Sequence, residues 1–196
     1  MASFKQKTLR FLYPIIRKMA KSGKNGTVLN NKQKAAPNEL FYAKQVALNN
    51  GQNLDFSTFL GKKILIVNTA SNCGYTGQYA ELQSLHEKLG DKLAIVAFPS
   101  NDFREQEKDD DKEIASFCQL NYGVTFPLAE KGVVLKTTEQ QPVFQWLTNS
   151  AANGWCDHVP DWNFGKYIIN EKGMLTHYFG PSVSPLEKDF LEAVEK

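Results

Sequence analysis

Cys73 stands in NTASNCGYT, residues 68–76, where an apolar run gives way to small and polar residues just before a helical pattern begins. Backbone N–H groups at a helix start, with the helix dipole behind them, favour an anion, so a thiol there is expected to have a lowered pKa and to act as a nucleophile at neutral pH. A packed, inert cysteine is the competing reading. Ser71, Asn72, Gly74, Tyr75 and Thr76 make the neighbourhood polar, which argues for the reactive one. FPSNDFREQE, residues 98–107, carries Asn101 and Gln106, uncharged amides able to hydrogen-bond a substrate oxygen or a sulfur anion. Asn101 is read as ordinary turn chemistry. PDWNFGKYII, residues 160–169, puts Trp162 and Asn163 just before a strand, two N–H donors able to polarise a reacting oxygen. Taken alone, Trp162 reads as core.

These residues need elements to converge them. Residues 64–69 form a continuous apolar run suited to a strand buried on both faces, and residues 93–98 form another. Tyr79, Leu82, Leu85, His86 and Leu89 recur between them at helical spacing. That is a βαβ unit, whose right-handed crossover makes the strands parallel and brings Cys73 and the segment after Pro99 to one end of the sheet. Before it, FYAKQVAL and NNGQNLDF read as a strand, a turn and a short strand. After it come helices at 111–122 and 142–150, a hairpin of 167–169 with 175–179 around Glu171-Lys172-Gly173, and a last helix from about Pro185. The expected fold class is α/β, a central mixed sheet flanked by helices with an N-terminal β-hairpin.

Composition bounds the rest. The 196 residues suffice for one core. Lysine and arginine number 23 against 21 acidic residues, too balanced to point to nucleic acid. Cys73, Cys118 and Cys156 form neither a disulfide scaffold nor a metal-ligand spacing, and His86, His158 and His177 do not pair, so no metal or cofactor is called for. Residues 1–24 carry seven basic residues and no acid, leaving the remainder net acidic. Leu9, Leu12, Ile16 and Met19 can share a helical face there, so the functional reading is a peripheral amphipathic helix making weak membrane contact through residues 4–19; a frayed or locally docked tail is the preferred reading, since Pro14 disturbs a continuous helix. The apolar stretch 11–16 is too short to span a bilayer and is followed at once by Arg17 and Lys18, so no export signal is visible and cytoplasm is expected. Residues 21–40, rich in Lys, Asn and Gly, read as a linker, giving an extension at 1–40 and a domain at 41–196.

NTASNCGYT, FPSNDFREQE and WNFGKYII, in this order on this strand and helix pattern, resemble the glutathione peroxidase family over roughly residues 41–185. The resemblance implies a thioredoxin-like fold and a peroxidase whose reactive cysteine is assisted by a glutamine, a tryptophan and an asparagine, here Cys73, Gln106, Trp162 and Asn163. Many members have cysteine, glutamine and glycine where Ser100, Asp102 and Arg104 stand here. Cys118, in EIASFCQLNYGVTFP, falls where the two-cysteine, thioredoxin-dependent members carry their resolving thiol. The implied cycle runs through a Cys73 sulfenic acid and a Cys73–Cys118 disulfide, which thioredoxin reduces, with hydrogen peroxide or organic and lipid hydroperoxides as substrate. Glutathione as reductant is the nearer alternative, and a peroxide sensor passing oxidation to a partner protein the further one. A thiol:disulfide oxidoreductase would want a C-x-x-C pair, which Tyr75 and Thr76 do not supply. Residues 147–161 leave no room for an insertion resembling the tetramer-forming loop of some relatives, so a monomer is expected. Cys156 matches no family role and reads as a bystander packed by Trp155. The helix bearing Cys118 is expected to open when the disulfide forms, and the acidic run 107–113 reads as a segment easily loosened.

Overall fold

A computed structural model describes residues 4–20 and 23–195; the side chains of Lys5, Lys7, Arg10, Lys21 and Lys24, part of the basic extension, lie outside the described ones. In chain order the main elements are α1 (Phe4–Ala20), β1 (Val28–Asn30), β2 (Gln45–Ala47), β3 (Asn53–Asp55), β4 (Lys63–Thr69), α2 (Gln78–Leu89), β5 (Leu93–Pro99), α3 (Asp111–Tyr122), α4 (Pro142–Leu147), α5 (Ser150–Asn153), β6 (Lys166–Ile169), β7 (Leu175–Phe179) and α6 (Lys188–Glu195). The larger sheet runs β1-β7-β6-β4-β5. β4 and β5 are parallel and every other neighbouring pair in it is antiparallel, so the sheet is mixed. β2 and β3 form the separate N-terminal hairpin.

Both central strands are buried along their whole length because each supplies two cores. Strand pleating sends alternate side chains to opposite faces. Leu65, Val67, Ile95 and Ala97 pack under α2, α3 and α6, whereas Ile64, Ile66, Val96 and Phe98 pack against Phe41, Phe56 and the α4 aromatics Phe144 and Trp146.

Three expectations about elements are corrected. Residues 28–30, inside the stretch read as a linker, form edge strand β1 on β7, flanked by Gly180 N→Thr27 O at 2.7 Å and Ser182 N→Asn25 O at 2.8 Å. The helix expected at 142–150 is two, because Asn149 takes an extended conformation (φ −131°, ψ 104°) and caps α5 by accepting from Ala151 N. In the extension, α1 is continuous through Pro14 and is docked, and its expected single apolar face is divided. Leu9 and Ile16 turn toward the Cys73 loop, while Leu12 and Met19 are 37% and 77% exposed.

Candidate active site

The ends of β4 and β5 and the turn before β6 bring three chain segments to one place. Cys73 lies in the turn between β4 and α2, five residues before the helix starts, and is wholly buried. The Tyr75 N–H points at its Sγ at 3.5 Å. Burial pushes the thiol up to about 11, while the Tyr75 N–H, the Trp162 and Asn163 side chains and the Gly74 N–H act in the opposite direction. The expectation of a lowered thiol pKa is therefore corrected for this state of the molecule: desolvation exceeds the help of the surrounding donors.

The second loop turns through Arg104 and Glu105, both left-handed with φ near 52° and 51°. Such backbone is uncommon for residues with a side chain. The turn sends the Gln106 carbonyl to Asn72 N at 3.0 Å and the Gln106 Oε1 to Asn163 Nδ2 at 3.0 Å. Asn163 is wholly buried, its Oδ1 without a partner among the described residues. Trp162 is half-buried, its ring 5.4 Å from that of Phe103 and 5.5 Å under the Arg104 guanidinium. Phe164, at φ 70°, bends the third loop, and Asn68 holds it by donating Nδ2 to Trp162 O (3.1 Å) and accepting from Gly165 N (3.0 Å). Cys73, Gln106, Trp162 and Asn163 thus share one neighbourhood, drawn from three chain segments.

Asp102 does not face the sulfur. Its Oδ2 accepts from Val134 N at 2.7 Å and Leu135 N at 3.0 Å, which makes it a structural clamp. Asn101 accepts from Glu107 N at 2.9 Å, as turn chemistry requires. Ser100 is buried and its hydroxyl accepts from Asp102 N.

Cys118 is buried on α3 in the same core as Cys73, and the two are not bridged. Burial pushes its thiol up to about 12, the Tyr79 hydroxyl lowers it and the Glu107 carboxylate adds to the rise. The run 107–113 is tied down rather than loose. Glu107 is buried, Asp110 and Glu113 form a reciprocal cap on α3, and Lys131 binds Asp111 Oδ1 and the Asp109 carbonyl. Cys156 is buried in the opposite core, its backbone fixed by Asn153 on both its N–H and its carbonyl.

Two features of the site escape sequence reasoning. Glu107 Oε2 accepts from both Ser71 N (2.8 Å) and Ser71 Oγ (3.0 Å), latching the loop two residues before Cys73, while its Oε1 is buried without a partner among the described residues. Burial holds this carboxyl up to about 7. The other is α1, which roofs the Cys73 turn. Gln6 Nε2 donates to Ser71 O at 3.4 Å, and a methyl added to Gly74 would stand 3.1 Å from Ile16 Cδ1. The Tyr13 ring lies flush against Gly77, and its hydroxyl donates to Glu81 at 2.9 Å. Arg17 pairs with Glu187 at the other end.

The family model "Glutathione peroxidase" matches residues 41–148. "Glutathione peroxidase homolog BsaA" of Halalkalibacterium halodurans is 43% identical over 145 residues, 73% of this chain and 91% of that protein. "Glutathione peroxidase-like peroxiredoxin HYR1" of Saccharomyces cerevisiae is 38% identical over 146 residues, 74% and 89% of the two chains. Among solved structures, "Crystal structure of Trgpx in apo form" superposes with a TM-score of 0.60 at 27% identity, covering 81% of this chain and 97% of that one.

Proposed function

The chain belongs to the glutathione peroxidase family, has its thioredoxin-like fold and is a thiol peroxidase, and from that premise we propose that Cys73 is the sulfur that meets the peroxide. The observation that carries this reading is the convergence on one buried thiol of the Tyr75 N–H and the side chains of Trp162 and Asn163, the last braced by Gln106. The Cys73 thiolate attacks the outer oxygen of a hydroperoxide; the O–O bond breaks, the sulfur takes that oxygen as a sulfenic acid, and the departing alkoxide or hydroxide takes a proton to leave as alcohol or water. Donors aimed at the sulfur hold the thiolate and stabilise charge on the departing oxygen. The substrates are hydrogen peroxide and organic or lipid hydroperoxides.

Cys118 resolves the sulfenic acid: its sulfur bonds to the Cys73 sulfur, the oxygen leaves as water, and thioredoxin restores the two thiols by taking on a disulfide of its own. Support for this is that both thiols are free and share one core under the sheet. The enzyme works as a monomer in the cytoplasm, where a reducing environment keeps three thiols unbridged.

The test is NADPH oxidation with peroxide, thioredoxin and thioredoxin reductase, beside the same assay with glutathione and its reductase. Turnover with thioredoxin, lost in Cys118→Ser, is expected. Turnover with glutathione alone, indifferent to Cys118, would make Cys118 structural; peroxide consumption of a single equivalent with neither reductant would favour a sensor.

A further inference from the structure

Helix α1 has two apolar faces, and only one of them is used by the fold. Along the inner face Gln6, Leu9, Tyr13 and Ile16 meet the Cys73 turn and α2. On the outer face Phe11, Leu12, Ile15 and Met19 are 81%, 37%, 57% and 77% exposed. At 3.6 residues per turn these four fall within about 100° of arc, a continuous stripe. Because the inner face is anchored at Ser71, Glu81 and Glu187, the stripe is not waiting to fold onto its own core.

We propose that this outer face of α1 is a docking surface for an anionic lipid bilayer, which sets Cys73 one helix diameter from the membrane. Charge selects this occupant. Residues 1–24 carry seven lysines and arginines and no acid, within a chain whose remainder is net acidic; Arg17 is spent on Glu187, and Lys18 is exposed beside Phe11 on the helix. An apolar stripe with diffuse positive charge suits a surface whose negative charge is also diffuse. A second copy of the chain would bring two such cationic helices face to face. At 17 residues with Pro14 inside, and with no helix among the described residues long and apolar enough to cross a membrane, α1 lies in the interface plane.

The placement deepens the peroxidase reading. Leu9 and Ile16, on the same helix, stand over Gly74, so a docked α1 holds the Cys73 turn directly behind the lipid contact. α1 then stands between lipid and sulfur, so a hydroperoxide carried on an acyl chain, among the substrates proposed above, is brought to the enzyme by this face and meets Cys73 past the helix. That half of the inference rests on the proposed function; the binding half does not.

The experiment is co-sedimentation of the full chain with vesicles of phosphatidylcholine alone and of phosphatidylcholine with phosphatidylglycerol, beside the triple variant Phe11→Ser, Ile15→Ser, Met19→Ser. All three positions are exposed and outside the catalytic neighbourhood, so turnover of hydrogen peroxide is expected to be unchanged. The native chain should partition at least tenfold more strongly onto the anionic vesicles, the variant should lose that tenfold, and its turnover of a phospholipid hydroperoxide in those vesicles should fall in proportion. Equal partition of native chain and variant, or no preference for anionic vesicles, overturns the proposal. So does a native dimer that the variant dissolves, which would give the stripe to a second copy. Lipid-selective binding without any peroxidase turnover would keep the surface and sink the substrate.

Discussion

At the scale of single residues, the site is controlled by what burial does to ionisable groups. Cys73 is surrounded by donors and still has its thiol pushed up to about 11, because it is wholly buried. Glu107 is the counterpart on the neighbouring loop. Its carboxyl is raised from 4.5 to about 7, first by burial, with the Ser71 hydroxyl and N–H opposing and Asp109 and Lys131 acting weakly in opposite senses. Between those two pH values the folded chain holds a proton that the unfolded chain has released, so this group makes stability fall as pH rises from about 4.5 to 7. Glu107→Gln keeps an oxygen for Ser71 and removes the titration. Unfolding free energies from denaturant titration of this variant should therefore decline less than those of the native chain between pH 5 and 8, by an amount on the order of a few kcal/mol; parallel declines would mean that Glu107 is solvated. A glutamate at the head of an acidic run reads as surface in a sequence, and only the fold reveals that its carboxylate turns inward to the Ser71 loop.

At the scale of elements, periodicity decided what could be read in advance. β4, β5, α2 and α3 are long and strongly patterned, and their spacing alone places Cys73 and the 98–107 segment at one end of the sheet. β1 is three residues with one partly buried side chain, a signal indistinguishable from linker until its partner β7 is known. The face by which α1 docks was hidden for another reason: apolar residues lie on both sides of the helix, so a single-face reading mixes the pair that packs with the pair that does not. Gly77 tests that docking. A Cβ there would sit 2.5 Å from the Tyr13 ring, so Gly77→Ala should push α1 away, costing about 1–3 kcal/mol as overpacking does. Alkylation of Cys73 by iodoacetamide should then quicken at constant pH; an unchanged rate would mean that α1 does not limit access. α3 presents the opposite problem, being capped at both ends by the Asp110–Glu113 box and left-handed Gly123 while the proposed cycle requires its Cys118 to reach another sulfur. Removing the cap with Asp110→Ala weakens the helix start by about 1 kcal/mol, which should speed Cys73–Cys118 disulfide formation roughly fivefold if α3 must open. Quenched-flow mass analysis reads that step, and an unaltered rate would show that the thiols meet without unfolding.

At the scale of the whole molecule, the buried groups together set a pH profile that no one of them predicts. Lys166, wholly buried with its Nζ on Gln78 Oε1 and the Phe164 carbonyl, is lowered by burial to about 7. The unfolded chain therefore binds the extra proton between about 7 and 10.5, and stability rises with pH in that window. The thiols act with the opposite sign. Cys73, Cys118 and Cys156 are raised by burial from 9.0 to about 11, 12 and 11, so above 9.0 the unfolded chain sheds protons that the folded chain keeps. Three such losses outweigh the one gain, and buried Tyr79 and Tyr167, also raised by burial, add to them at higher pH. With Glu107 falling below 7, the expected curve under reducing conditions has a shallow minimum near neutrality, a maximum near pH 9 and a steep alkaline decline. Urea midpoints from pH 6 to 11 would trace it. Cys156→Ala, remote from the reactive loops, should make the alkaline limb shallower, since it removes one of the protons that the unfolded chain releases there and the folded chain keeps. A midpoint that goes on rising to pH 11 would mean that the thiols ionise within the fold, and the buried state of Cys73 would then not be the one that waits for peroxide.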